Sequence, residues 1–402
     1  MKQAEQHIIS KSHPFHSYAD SKAVLSKNLF NAAMLYIKTE YESTGKYCNY
    51  FEVNNEFIHS NQQDYRTLAA NVSQQVLMQV DRCWKSYFKA LSSYKKDPSK
   101  FRAMPMPPKA KDKEWQRNML TYTQRVISVK ALRSGDLVLN SESTGLRTKL
   151  TNINQVQIVP MKDCMYKVIL VYDREPEKRV ESTVLAGCDI GVSNLVVVGF
   201  NDRSAIPFRI GGGPLKSINQ YCNKRVGHLM SKLSNDRKSS KQIRKTAHKR
   251  NMKVNDYLHK MSRKVVTELK KRNTSKIVIG YNPEWKQRIK LGRVNNQNFV
   301  SIPFLKMINA LAYKCELAGI ESVVREESYT SKCSFLDREP IRKKTKYLGK
   351  RTRRGLYVAS DGTRINADLN SAYNILTKEV PDAFADGIEG IVMCPATVTV
   401  TN

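Results

Sequence analysis

CDIGVSNLVVVGF, residues 188–200, and INADLNSAYNIL, residues 365–376, decide how this chain is read. In the first, Asp189 opens a Val-rich run punctuated by glycine, the pattern of a strand. In the second, Asp368 begins a segment with Leu369, Ala372, Tyr373 and Leu376 at helical spacing. A carboxylate set against a buried apolar segment costs free energy unless it is paired or binds a cation. Two such carboxylates, far apart in sequence, predict a metal site assembled by folding.

Outward from these stretches, strands and helices alternate. FRIGGG follows the first as a third strand of a meander, and residues 214–272 read as basic helix. KIVIGYN (276–282) is a buried strand by its β-branched content. PFLKMINALAYKCELAGI (303–320) is a helix stopped at Gly319, and ESVVREES (321–328) is the next strand. This is an α/β layer architecture over residues 181–402. The first half differs. Residues 19–45 predict a helix with Ser21 as a cap and Gly45 as the stop. Residues 64–95 predict a second long helix, with Val72, Val76, Val80, Trp84 and Phe88 on one face. After MPMPP (104–108) come TYTQRVISV, DLVLN, VQIVP and YKVILVY, read as strands of an antiparallel sheet or small barrel.

Charge names the partner class. The chain has 402 residues, with 68 Lys and Arg against 36 Asp and Glu, a formal charge of +32. Such self-repulsion is relieved by a polyanion, so nucleic acid is expected well ahead of a membrane surface. No apolar run approaches the ~20 residues of a membrane span, and MKQAEQHIISKSHPF lacks the apolar core of a signal peptide. Eight scattered cysteines without a C-x-x-C pair suit a reducing cytoplasm and show no zinc ribbon.

Phosphodiester hydrolysis needs an activated water and stabilisation of the leaving oxygen, which two divalent ions about 3.5–4 Å apart supply. Magnesium takes carboxylate, phosphate and water oxygens. Two aspartates hold such a pair weakly, so a third acid is expected. KIVIGYN ends in Gly280, without an acid; the next strand ends in Glu326 and Glu327. Neighbouring strand residues face opposite ways, so at most one faces the metal. Glu327 is favoured, with Glu326 as the alternate. Glu284, Asp337, Asp361 and Asp202 read as turn residues, and His228, His248 and His259 show no metal-ligand spacing.

The chain resembles the TnpB-type (OrfB) proteins of bacterial insertion sequences. CDIGVSNLVVV, LHKMSRKVV, GYNPEWKQ, NNQNFVSIPF, EESYTSKCSFLD, KRTRRGLY, NADLNSAYNIL and ADGIEGIV carry the resemblance, and SKNLFNAA, DYRTL and CWKSYFKAL extend it. It implies an RNase H-like (RuvC) nuclease domain over residues 181–402. It implies a β-barrel wedge-like domain from residues 1–18 and 101–180, with a helical recognition insertion at 19–100. It also implies a guide RNA from the transposon end, a double-stranded DNA target with a short adjacent motif, and a bacterial, nucleoid-associated protein. Asp189 is the first metal ligand of that pattern and Asp368 the last, around two Mg2+ ions or Mn2+. Two departures stand out. Gly280 replaces the usual glutamate, and Glu327, three residues before Thr330, matches a rearranged placement. Residues 329–363 lie where relatives carry a four-cysteine zinc ribbon; only Cys333 remains, so no zinc is expected. The resemblance thus implies an RNA-guided DNA endonuclease. The alternatives are a cleavage-deficient, repressor-like guided DNA-binding protein and a strand-transferring transposase.

Overall fold

A computed structural model describes residues 1–234, 237–283 and 301–400, which form two compact units, Met1–Arg174 and Glu175–Asn402. Glu284 and most of the GYNPEWKQ and NNQNFVSIPF stretches lie outside the described residues.

The first unit opens with strand β1 (Lys2–Ile9) and helices α1 (His16–Thr44), α2 (Tyr50–His59), α3 (Gln63–Arg66) and α4 (Ala70–Lys96). Strand β2 (Leu120–Thr123), helix α5 (Val129–Arg133) and strands β3 (Asp136–Leu139), β4 (Glu142–Arg147), β5 (Gln155–Pro160) and β6 (Tyr166–Asp173) follow. The pairing gives a four-stranded antiparallel sheet, β1-β6-β5-β2, and a separate β3–β4 hairpin. The TYTQRVISV run is strand only as far as Thr123; a 3-10 turn and α5 take the rest. Gly45 ends α1 at φ 70°, donating its N–H to the Tyr41 carbonyl, a left-handed stop that suits glycine. Ser21 is not the cap of α1: the helix begins at His16, and the Ser21 hydroxyl donates to the Tyr18 carbonyl. The hydrophobic stripe of α2 is short, Tyr50, Val53 and Phe57. Its signal is the N-x-x-E capping box, in which Asn49 accepts from the Glu52 N–H and Glu52 accepts from the Asn49 N–H. Val72, Val76, Val80 and Trp84 of α4 are buried as their four-residue spacing predicts.

The second unit is mixed α/β. Strands β7 (Leu185–Ile190), β8 (Asn194–Phe200) and β9 (Phe208–Gly211) form the meander, and helices α6 (Gly213–Met230) and α7 (Lys241–Lys271) follow. Then come β10 (Lys276–Gly280), α8 (Phe304–Leu317) and β11 (Glu321–Arg325). Strands β12 (Lys350–Arg353), β13 (Leu356–Val358) and β14 (Arg364–Asn366) make a small antiparallel sheet leading into α9 (Ala367–Glu379), and β15 (Ala396–Thr397) ends the chain. The main sheet runs β11-β10-β7-β8-β9-β15. β7, β8 and β9 pair antiparallel, while β10 lies parallel to both β7 and β11.

The two faces of this sheet follow from the two-residue period of a strand. Ala186, Cys188 and Ile190 of β7, with Ile277 and Ile279 of β10, pack with Val265 and Leu269 of α7 and with Met307 and Leu311 of α8. The alternate positions, Gly187, Asp189, Val278 and Gly280, take the other face, where α9 lies. A Cβ on Gly187 would sit 2.0 Å from the Ala372 carbonyl oxygen, and one on Gly199 of β8 would sit 2.6 Å from the Tyr373 ring. One on Gly280 would sit 2.4 Å from Ile375 Cδ1. Three adjacent strands thus offer a glycine-lined trough for one helix. Leu369, Tyr373, Ile375 and Leu376 of α9 are wholly buried there, each worth about 1.5–3 kcal/mol relative to exposure. No described helix is long and apolar enough to cross a membrane.

Candidate active site

The trough sets the height of α9, and α9 begins at the site. Asn366 caps the helix, accepting from the N–H groups of Asp368 and Leu369, which leaves the Asp368 side chain in the first turn. Asn194, at the start of β8, donates to Asp368 Oδ2 at 2.8 Å. Arg351 of β12 donates to Asp368 Oδ1 at 3.0 Å. Asp189 is on the face of β7 that looks toward α9, because it alternates with Cys188 and shares parity with Gly187. Burial, then the charge of Glu327, then that of Asp368 push the Asp189 carboxyl well above the usual carboxylate range; Arg351 acts in the opposite direction.

Glu327 comes from two strands away. β11 stops at Arg325, so both candidate glutamates lie just past the strand, and simple alternation does not place them. Glu327 reaches over the end of β10, where Gly280 presents no side chain: its Oε2 lies 2.7 Å from where a Gly280 Cβ would be. The glycine in place of an acid is therefore the space that a neighbouring acid fills. Glu326 is engaged elsewhere. Its carboxylate accepts from Lys378 Nζ at 2.7 Å and from the Ser328 N–H at 2.8 Å, and the two cationic and dipolar donors outweigh its burial, lowering its pKa. The fold thus gathers Asp189, Glu327 and Asp368 into one electrostatic group and leaves Glu326 outside it.

Three carboxylates supply the oxygen donors that a hard divalent cation takes. Among the described residues, no group of three or more His, Cys, Asp or Glu is placed so that it could hold a metal ion. The hold of Arg351 and Asn194 on Asp368 is a physical reason: both carboxylate oxygens already accept hydrogen bonds. The donor set fits such an ion in kind, and the guanidinium occupies the charge it would bring.

Around this group the residues are locked to α9. Asn374 Nδ2 donates to the carbonyls of Thr330 and Cys333, and Asn370 Nδ2 donates to the Cys333 carbonyl while its oxygen accepts from the Phe335 N–H. The segment after Glu327 is therefore held by the helix that carries Asp368. In residues 329–363, Cys333 is buried with its thiol directed at the carbonyls of Pro340 and Arg342. Glu339, with its side chain fully buried, accepts from the Ser334 N–H at 2.8 Å, Lys344 Nζ at 2.9 Å and the Leu348 N–H at 3.2 Å. A charge-centred staple holds this insert. Asp361 accepts from Thr363 and Asp202 from Ser204 in turns, as their sequence context predicts, while Asp337 accepts from the distant Ser360 N–H.

Comparison with known proteins bears on both halves of this site. Residues 168–286, with Asp189, match the sequence model of the OrfB_IS605 family, described as "Probable transposase". Residues 304–375, with Glu327 and Asp368, match the model described as "Cas12f1-like, TNB domain". Over residues 168–286 the chain is thus similar to OrfB-type transposases. No curated protein sequence matches the chain. Among solved structures, a Cas12f1–sgRNA–target DNA complex is 14% identical with a TM-score of 0.39, covering 94% of this chain and 100% of that one. The mini-RNA-guided endonuclease CRISPR-Cas_phi3 is 11% identical with a TM-score of 0.48, covering 98% and 93%. The OrfB-type segment ends before Glu327, so the acids come from two separately matched stretches that one sheet brings together. Reasoning from sequence missed Asn194 and Arg351, although both lie in stretches (CDIGVSN and KRTRRGLY) singled out for their pattern.

Proposed function

We propose that this protein is an RNA-guided DNA endonuclease of a mobile element, with Asp189, Glu327 and Asp368 as the ligands of Mg2+ or Mn2+. The observation that carries the reading is that Asp189 of β7 feels the charges of Glu327, just past β11, and of Asp368, at the start of α9. The strand order supports an RNase H-like (RuvC) domain: a three-stranded antiparallel meander, then two parallel strands beside its first member. The β1-β6-β5-β2 sheet and α1–α4 are assigned the wedge-like and recognition roles, and the charge of +32 suits a guide RNA and a DNA duplex with an adjacent motif.

When bound, divalent ions supply an activated water and stabilise the leaving oxygen. The chain's own residues prepare that chemistry. Asp189 is kept from ionising easily by burial and by the charges of Glu327 and Asp368. Asn194 fixes the orientation of Asp368. Glu327, seated over Gly280, completes the set without a side chain from β10.

The second reading is a cleavage-deficient guided DNA-binding protein, favoured by Gly280 and by the hold of Arg351 on Asp368. The two are separated by incubating purified protein–RNA complex with target DNA and Mg2+. Cutting by wild type and its loss in Asp189→Ala is expected. Equal binding with no cutting by either would remove the nuclease claim.

A further inference from the structure

Beside the acids lies a second cluster of opposite sign. Ser193 is in the β7–β8 turn, next to Asn194. Its hydroxyl oxygen accepts from Lys216 Nζ at 3.1 Å and from Arg354 Nη2. Lys216 comes from the first turns of α6, and Arg354 from the β12–β13 turn, three residues after the arginine that holds Asp368. Among the described residues, neither cation has a carboxylate within ion-pair range, and the Ser193 hydroxyl donates to nothing. Some cations of this unit are neutralised, Lys276 and Arg179 by Glu321 and Lys270 by Glu177. Two like charges brought onto one neutral oxygen repel each other. Burial and then Arg354 hold Lys216 below the usual lysine range. The fold gains nothing from this arrangement that an anion would not improve.

We propose that Ser193, Lys216 and Arg354 form a phosphate pocket for the DNA strand being cut, binding a backbone phosphate neighbouring the one presented to Asp189, Glu327 and Asp368. The pocket rests on the nuclease reading above and specifies its substrate grip. A tetrahedral phosphate oxyanion takes the Lys216 ammonium, the Arg354 guanidinium and the idle Ser193 proton together, the charge-assisted pattern typical of phosphate sites. Asn194 joins the two sites directly: it follows Ser193 in sequence and holds Asp368. The strand is thus drawn over the acids by contacts blind to base identity, as expected where guide pairing supplies sequence choice.

The test uses the full chain with a 15-nucleotide single-stranded DNA and the same sequence as RNA, in EDTA, with anisotropy read against NaCl concentration. Each phosphate contact to a single strand contributes about 0.7 to the slope of log K against log salt. Lys216→Ala and Arg354→Ala should each flatten the DNA slope by about 0.7, and Arg354→Lys should retain it. Lys178→Ala, an exposed cation remote in sequence from the pocket, should leave it unchanged. Unaltered slopes in both pocket variants, equal flattening by Lys178→Ala, or an effect on RNA alone would each overturn the pocket. A parallel Mn2+ titration of wild type keeps the two claims apart. Absence of Mn2+ uptake would sink the nuclease reading whatever the slopes, whereas Mn2+ uptake with unaltered slopes would sink only the pocket.

Discussion

Gly280→Ala is the smallest change that interrogates the site. The added methyl would lie 2.4 Å from Ile375 Cδ1, 3.1 Å from Ile375 Cγ1 and 2.7 Å from Glu327 Oε2. Carbon atoms rest about 3.5–4.0 Å apart, so Ile375 must retreat by more than an ångström, and Glu327 must shift as well. Ile375 is wholly buried among Val278 and Leu376 and has nowhere to go without strain. Overpacking of this kind costs about 1–3 kcal/mol. For a unit of this size that is a fall in Tm of about 2–12 °C. Mn2+ affinity, read by isothermal titration, should fall as well, because the carboxylate is moved off its seat. The companion Gly280→Ala/Ile375→Val removes the Cδ1 clash. It should recover stability to the level of Ile375→Val alone, yet keep the weakened Mn2+ binding, since the 2.7 Å conflict with Glu327 persists. Undiminished Mn2+ affinity in either variant would refute the assignment of Glu327 to the ion through this cradle.

Asp189→Asn should stabilise the metal-free protein at neutral pH. The folded pKa is raised above the unfolded value of about 3.9, so the contribution of this group is fully present below that value and is lost as pH rises through the folded pKa. Melts in EDTA from acid to neutral pH should therefore show the variant overtaking wild type as pH rises; a lower Tm at neutral pH would contradict the cause given. Glu339→Ala leaves Lys344 and two backbone N–H groups without their acceptor, a loss of about 3–5 kcal/mol for a broken buried pair. Limited trypsin digestion should then cut within 329–363 first, and an unchanged cleavage pattern would argue against the staple.

The parts of the fold legible in the sequence are those where one period dominates. CDIGVSNLVVVGF, KIVIGYN and the α4 stripe are strands and helix because burial on defined faces forces their spacing. The start of α1 and the existence of α2 were less accessible, since caps and boxes are decided by a few hydrogen bonds. At the site, Asp189 and Asp368 declare themselves by sitting polar in apolar runs. The choice between Glu326 and Glu327 could not rest on strand alternation, because β11 ends before both. What separates them is the partner each meets: Lys378 for one, the bare end of β10 for the other. Arg351, Ser193 and Arg354 lie in stretches that stand out by pattern, yet nothing in the sequence assigns them, or Lys216, a partner. Their pairing depends on loops brought together from three distant segments.

At Gly187 and Gly199 the strands meet α9 as main chain resting on main chain and on the Tyr373 ring, with no strand Cβ to adjust. Ordinary cores absorb substitutions by trading one side chain's bulk for another's. At Gly187, where the nearest neighbour is the Ala372 carbonyl oxygen, no such trade is open. Changes beneath α9 should therefore disturb folding and the proposed site together, and drift that spares the three glycines of the trough can remodel much of the remaining surface while the acids keep their spacing.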